Sequence, residues 1–344
     1  MAVLGATGAV GQRFIQLLDG HPWFDVAEVA ASERSAGRPY GEACAWRLAG
    51  SPPARVGSLP VTSCDGPFRS RLLFSGLDSS VAGEIEARLA GQGHAVVSNA
   101  RNHRMDADVP LLIPEINPDH LAVLALQRRR TGGGYIVTNP NCSVVGLAMA
   151  LAPLHRAFGV EAVAVATLQA LSGAGYPGVA SMDIADNVIP FIGGGEEEKI
   201  ETEPRRILGG FDGGGFVPAP FPISAAVHRV DVSDGHTLAV FVRFRQKPGP
   251  EEAARVLAAF AGEPQQRRLP FAPERPIHVL AQADRPQPRL DRDRERGMAV
   301  SVGRIREDRV FDLKLEALVH NTIRGAAGAA ILNAELLRAR DLLP

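Results

Sequence analysis

Through residues 1–140, short apolar runs rich in β-branched side chains alternate with segments whose apolar residues recur at the helical period. Val26 to Ala31, Leu72 to Phe74, Ala95 to Ser98 and Tyr135 to Thr138 read as strands. Between them, Val10, Phe14, Leu17 and Leu18 predict one apolar helical face, and Ile85, Leu89 and neighbouring alanines predict another. Strands separated by single helices call for a parallel sheet covered by those helices. The pattern therefore predicts an α/β fold whose residues 1–140 form a Rossmann-type nucleotide-binding domain.

From Val160 the pattern changes. Longer strands, Ala162 to Ala170 and Thr237 to Phe244, mix with separate helices and predict an α+β second domain over residues 141–321. The alanine- and leucine-rich stretch Arg324 to Arg340 predicts a helix whose apolar face returns to the first domain, so residues 322–344 are grouped with that domain. Gly209 to Gly215 and the proline- and arginine-rich Pro264 to Arg296 predict irregular chain. Within the latter, Asp291 to Arg296 alternates in sign; its field cancels over a short distance, which predicts a solvated or interfacial loop and a poor polyanion patch. Only four residues precede Gly5, fewer than the five or six of a mean strand. The first strand is thus expected to continue upstream of Met1, and a chain extended there to be more stable or to bind its nucleotide more tightly.

Composition narrows the range of partners. With hydrophobic residues at 45% of 344, the chain can bury two cores. Lys plus Arg at 37 against Asp plus Glu at 38 provides no drive toward nucleic acid or an anionic membrane. The start lacks the pattern of a signal peptide and no later run is apolar enough to span a bilayer, which predicts a cytoplasmic protein acting on small charged metabolites. Three cysteines, Cys44, Cys64 and Cys142, are odd in number and lack metal-ligand spacing, so neither a disulfide framework nor a metal site is expected.

Two segments carry candidate chemistry. Gly5, Ala6, Thr7, Gly8, Ala9, Val10 and Gly11 follow a strand and open a helix, the context in which glycines let the backbone approach a pyrophosphate at a helix N-terminus. The other reading is an ordinary tight strand-to-helix turn. After the next strand, Ser32, Arg34 and Ser35 form a cradle for a ribose 2′-phosphate and favour NADP over NAD, although Glu33 would oppose this if turned inward. The second segment is Asn139, Pro140, Asn141, Cys142, Ser143, which closes a strand and begins an amphipathic helix. A cysteine there is either a small buried hydrophobe or a nucleophile whose pKa the helix N-terminus lowers. Cys44 and Cys64 lie in unpatterned segments and read as structural.

Cys142 within Asn-Pro-Asn-Cys-Ser is followed by Leu168-Gln-Ala-Leu-Ser-Gly-Ala-Gly175, Glu196-Glu-Glu-Lys-Ile-Glu201, Arg229, His236 in Asp-Gly-His-Thr, Arg285-Pro-Gln-Pro-Arg289 and His320-Asn-Thr-Ile-Arg-Gly325. In these ordered motifs, essentially the whole chain resembles the aspartate-semialdehyde dehydrogenases, closest to their archaeal and fungal branch. The resemblance implies that Cys142 attacks the C4 aldehyde of aspartate semialdehyde. His236 would take a proton as hydride leaves, and phosphate would cleave the thioester to give aspartyl phosphate, the reverse running in the synthesis of lysine, methionine and threonine. It further implies that Gln169 positions the acyl group, Arg229 clamps the substrate α-carboxylate, Glu197 meets the α-ammonium, and Arg104 and Lys199 hold phosphate. Asn321, Ser172 and Gly173 would line the NADP site. Residues two apart on a helix point in nearly opposite directions, however, so Glu197 and Lys199 share one site only if the helix start is irregular. A homodimer or homotetramer is implied as well. An NADPH-dependent malonyl-CoA reductase on the same scaffold and a non-catalytic NADP-binding sensor are the competing functions. The first would lack a partner for an ammonium; the second would lack nucleophile or base.

Overall fold

The computed structural model describes residues 1–344. Six parallel strands form the first sheet: β1 (Ala2–Leu4), β2 (Glu28–Ala31), β3 (Val61–Ser63), β4 (Leu72–Ser75), β5 (Ala95–Ser98) and β6 (Tyr135–Thr138), in the order β3-β2-β1-β4-β5-β6. The strand order reverses between β1 and β4, and doubly wound sheets bind ligands in the crevice beyond the carboxyl ends at such a point. β1 is three residues long and wholly buried, with Ala2 opposite Glu28 on one side and Leu73 on the other. The strand predicted from Val26 begins only at Glu28, whose carboxylate accepts hydrogen bonds from the Arg69 and Ser70 N–H groups.

Helix α1 (Ala9–Leu17) follows β1 through the glycine turn. Gly5 has φ +67°, and a Cβ there would stand 2.7 Å from the Gly76 carbonyl oxygen; one on Gly11 would stand 2.2 Å from the Gly5 oxygen. Only glycine lets strand and helix approach this closely. The close seat turns the buried face of α1 toward Gly11, Gln12, Phe14 and Ile15, leaving the expected Val10 and Leu17 half-buried. Phe14 packs on Phe74 with ring centroids 5.1 Å apart. α2 (Ser79–Gly91) is capped by the Asp78 carboxylate, which accepts from the Ser80 N–H, and α3 (Leu124–Thr131) precedes β6.

α4 (Cys142–Phe158) leads into β7 (Val160–Gln169), and β8 (Val188–Ile189) precedes α5 (Glu196–Ile207). The glycine-rich segment expected to be irregular is a small hairpin, β9 (Gly210–Phe211) with β10 (Phe216–Val217). β11 (Ile223–Val230), β12 (His236–Phe244), α6 (Pro250–Ala258), β13 (Ile277–Leu280), β14 (Val300–Glu307) and β15 (Leu313–Val319) complete a seven-stranded mixed sheet of order β13-β14-β15-β12-β7-β11-β8. Val163, Val165, Leu238 and Val240 on one face share a core with Val144, Leu147 and Leu151 of α4, Ile200 of α5 and Leu257 of α6. The opposite face presents Ala164, Ala166, Leu168, Ala226 and Ala239, all partly or fully exposed.

The Asp291 to Arg296 run is solvated only in part: Asp293 and Arg296 are exposed, but its first residue is not. Asp291 is 1% exposed and gathers Arg285 Nε at 2.6 Å, Arg294 Nε at 2.9 Å and the Gln287 N–H at 2.8 Å. One buried carboxylate thus fastens the chain around it, an arrangement that local sign alternation alone does not reveal. After β15 a wide π turn, Ile323–Ala327, enters α7 (Gly328–Ala339), whose Ile331, Leu332 and Leu336 join Phe14 and Phe74 in the first domain's core.

Candidate active site

Cys142 is the first residue of α4, and Asn141 caps the helix. The Asn141 Oδ1 accepts from the Ser143 N–H at 2.9 Å and the Val144 N–H at 3.3 Å, while its Nδ2 donates to Glu196 Oε1 at 2.8 Å. The sulfur faces His236, the first residue of β12, with Sγ and Nε2 3.1 Å apart. The other ring nitrogen, Nδ1, accepts the Ala170 N–H at 3.0 Å. The neutral ring therefore carries its proton on Nε2, turned toward sulfur.

The electrostatics correct one expectation. Burial pushes the Cys142 thiol up to about 12, with the Glu196 carboxylate adding in the same direction, and Arg104, Arg229 and the Ser143 N–H oppose it only in part. Burial, with Arg229 and His320, holds the His236 imidazole down to about 3. At neutral pH the resting pair is a neutral thiol beside a neutral ring; the helix terminus does not by itself make a thiolate, because desolvation of the anion outweighs the dipole.

A cavity of about 550 Å³ opens over the sulfur, lined by Arg104, Gln169, Glu196, Lys199 and Arg229 among others. A second, of about 250 Å³, shares Cys142 and Gly173 and continues to Ala9, Val10, Ser172 and Asn321. Cys142 stands where the two meet. β7 and β11 run parallel with Arg229 in register with Gln169, which delivers both side chains to the first cavity; Arg229 Nη1 is fixed on the Ala170 carbonyl oxygen at 2.6 Å. A Cβ at Gly173 would stand 2.9 Å from Arg229 Nη1 and 3.0 Å from His236 Cε1, so the absent side chain leaves room between the cavities.

Glu197 is misplaced for the role expected of it. It lies on the surface and accepts the Val227 N–H at 3.3 Å, whereas Glu196 is 7% exposed and reaches into the cavity. Glu196 Oε1 also accepts Gln169 Nε2 at 3.1 Å, and Oε2 receives Lys199 Nζ at 3.1 Å. The helix is regular, so the residue that shares a face with Lys199 is three positions before it, not two. That spacing could have identified Glu196 from the sequence. Glu203 lies behind the cavity at the same helical spacing, four residues after Lys199, whereas Asn99 and the Ala170 N–H also meet the site and had no such signal.

On the cofactor side, α1 begins without a side-chain cap or an acidic residue in its first turn, which leaves its N–H groups and dipole to an anion. Thr7, Gly8, Ala9 and Val10 form that turn at the crevice. Asn321 is held at both ends, its Oδ1 accepting the Gly235 N–H and its Nδ2 donating to Ser172 Oγ, each at 2.8 Å. Ser32, Arg34 and Ser35 lie in the turn after β2, beside the crevice; Ser32 and Arg34 are exposed, and none lines either cavity. The residues present fit a dinucleotide. No group of three or more His, Cys, Asp or Glu side chains is placed to hold a metal.

A sulfur paired with an imidazole between an arginine- and lysine-lined cavity and a dinucleotide crevice defines an oxidoreductase of the thiol-dependent aldehyde dehydrogenase class. Residues 1–124 match the family model for the semialdehyde dehydrogenase NAD binding domain, and residues 151–324 that for the semialdehyde dehydrogenase dimerisation domain. The chain is 50% identical to the aspartate-semialdehyde dehydrogenase of Methanothermobacter thermautotrophicus over 98% of each chain, and 47% identical to that of Schizosaccharomyces pombe over 100% of this chain and 99% of the other. The crystal structure of the Candida albicans aspartate semialdehyde dehydrogenase with NADP superposes with a TM-score of 0.92 at 45% identity, covering 99% of this chain and 98% of that one. The chain belongs to the aspartate-semialdehyde dehydrogenase family.

Proposed function

We propose that this chain interconverts L-4-aspartyl phosphate and L-aspartate 4-semialdehyde, using NADP and a thioester on Cys142, in the route to lysine, threonine and methionine. The observation that carries the reading is the 3.1 Å contact of Cys142 with His236 at the meeting point of the two cavities. NADPH supplies the hydride in the biosynthetic direction, and NADP takes it in the reverse. Gly5, Gly8 and Gly11 with the open start of α1 hold the pyrophosphate, Ser32, Arg34 and Ser35 the 2′-phosphate, and Ser172, Gly173 and Asn321 the nicotinamide end.

In the biosynthetic direction the Cys142 thiol adds to the acyl carbon, the C–O bond to phosphate breaks, and phosphate leaves with the bond's electron pair and the thiol proton, as hydrogen phosphate. Arg104 and Lys199 receive it. Hydride addition to the thioester turns the carbonyl oxygen into an anion, which the His236 Nε2–H meets; collapse of this adduct returns the thiolate and frees the aldehyde. In this direction the ring acts as a donor at Nε2, because the Ala170 N–H occupies Nδ1. Gln169 orients the acyl group. Arg229 grips the α-carboxylate, and Glu196, not Glu197, meets the α-ammonium.

Glu196 also weighs against malonyl-CoA, which has no ammonium for a buried carboxylate to pair with, and the sulfur–imidazole contact weighs against a non-catalytic sensor. We divide the chain into residues 1–140 with 322–344, and 141–321. The open alanine-lined face of the second sheet suits close apposition of a second copy, giving a homodimer, and a tetramer would add a second contact. No helix is long and apolar enough to cross a membrane; a cytoplasmic location follows from the substrates. NADP reduction with aspartate semialdehyde, followed spectrophotometrically, is expected to require phosphate. Phosphate-independent turnover, or NADPH oxidation with malonyl-CoA alone, overturns the assignment.

A further inference from the structure

Glu203 lies outside both cavities, yet it holds two parts of the site at once. On α5 it follows Glu196 by seven residues and Lys199 by four, and so occupies the same helical face one turn deeper. It is 2% exposed. Its Oε1 accepts from Arg104 Nη1 at 2.9 Å and its Oε2 from the Asn141 N–H at 2.7 Å. The Arg104 guanidinium is held further by Nη2, which donates to the Asn99 carbonyl oxygen at 3.0 Å, and Asn141 is the residue that caps the helix of Cys142.

We propose that Glu203 is a positioning residue that holds the anion-binding arginine and the cap of the nucleophile's helix in one register. The inference rests on the reading of Arg104 as a phosphate ligand. One rigid carboxylate spans the two, so the guanidinium cannot swing independently of the backbone that presents sulfur. Both partners are donors, which makes the carboxylate obligatory. A glutamine of the same shape satisfies one of them and turns its own N–H groups on the other. An aspartate keeps both acceptor oxygens but withdraws them by one methylene.

The test compares wild type with Glu203→Gln, Glu203→Asp and Arg104→Gln in the direction of NADP reduction, varying phosphate and semialdehyde separately. NADP affinity by fluorescence and thermal melting accompany the kinetics. Glu203→Gln is expected to raise the KM for phosphate about tenfold or more, the factor of one charge-assisted hydrogen bond. It should change the KM for semialdehyde by less than about twofold and leave NADP affinity as it was; Glu203→Asp falls between the two. A merely structural role would lower the melting temperature and weaken both substrates alike, and that result overturns the proposal. So does a raised phosphate KM in Arg104→Gln with an ordinary one in Glu203→Gln. An ordinary phosphate KM in Arg104→Gln overturns the phosphate assignment itself. If Glu203→Gln does not fold, Glu203→Asp decides, and an unchanged phosphate KM there is equally fatal.

Discussion

Gly325 gives the most direct test of how the nucleophile is held. It sits in the π turn ahead of α7, and a Cβ added there would lie 2.7 Å from Cys142 Cβ and 3.0 Å from Cys142 Cα. Comfortable carbon contacts need about 3.5–4.0 Å, so Gly325→Ala demands a movement of roughly 1 Å. Neither wall can supply it cheaply. On one side Ser143 to Leu154 of α4 are all buried, and a Cβ at Gly146 would already stand 3.0 Å from Val319. On the other, Gly328 to Leu337 are buried, and a Cβ at Gly328 would stand 2.6 Å from the Met298 sulfur. The displacement passes to Cys142, whose partner nitrogen is 3.1 Å away. Overpacking of this kind costs about 1–3 kcal/mol, and a reacting atom misplaced by about 1 Å loses about 100-fold in rate. Steady-state kcat/KM for aspartate semialdehyde is expected to fall by about that factor. Melting temperature should fall by about 1–2 °C per kcal/mol. A Gly325→Ala enzyme with kcat/KM within about twofold of wild type and an unchanged melting temperature refutes the reasoning.

Glu196→Gln should raise the KM for aspartate semialdehyde and lower kcat/KM by about 10- to 100-fold, as loss of a charge-assisted contact does, whereas Glu197→Gln should stay within about twofold; the opposite ranking returns the ammonium to Glu197. With its thiol pushed up to about 12, Cys142 in the ligand-free protein should be alkylated by iodoacetamide about tenfold faster per pH unit from pH 6 to 9, and a plateau near neutrality contradicts a neutral resting thiol. His236 titrates near 3 when folded against an ordinary 6.5, so below 6.5 the unfolded chain binds the extra proton, and the stability of the buried neutral ring is lost as pH falls toward 3, at up to about 1.4 kcal/mol per unit. Urea midpoints should accordingly show His236→Asn losing less stability than wild type between pH 7 and 5; parallel losses rule this out. Glu115→Ala strands Arg324, which is 1% exposed and donates to Glu115 at 2.7 Å, and urea unfolding should show a loss of about 3–5 kcal/mol, a loss under about 1 kcal/mol being incompatible with a buried pair.

Much of the fold was legible because its causes are local. Four of the six strands in the first sheet, β1, β4, β5 and β6, are wholly buried and apolar but for a terminal Ser or Thr, and the glycines at 5, 8 and 11 encode a turn through steric limits on their own neighbours. β3 was missed because only Val61 of its three residues is fully buried and apolar. β15 does alternate, with Leu313, Leu315 and Ala317 inward and Lys314 and Glu316 half-exposed, but nothing in that pattern says which strand it pairs with or that β14 lies beside it. The hairpin in the glycine-rich segment and the buried Asp291 cluster were hidden for a related reason: composition reports average solvation, while two arginines converging on one carboxylate is a matter of where the chain turns.

By itself the sequence determined that Cys142 begins a helix and that the first strand ends in a turn only glycine can make, since capping and steric exclusion act within a few residues of backbone. It also carried enough ordered motifs to point to thiol chemistry on an amino-acid aldehyde. Folding decided the rest. Helical spacing pairs Glu196 with Lys199, but that their face enters the cavity depends on the seating of α5 against α4 and β11. The protonation of Cys142 depends on how much water is excluded by Arg229, Glu196 and His236, which lie 54 to 94 residues further along the chain. Arg104 meets Glu203 across 99 residues of chain. Desolvation and the convergence of distant charges are properties of a packed interior, so they come into being only when the two domains close around the sulfur.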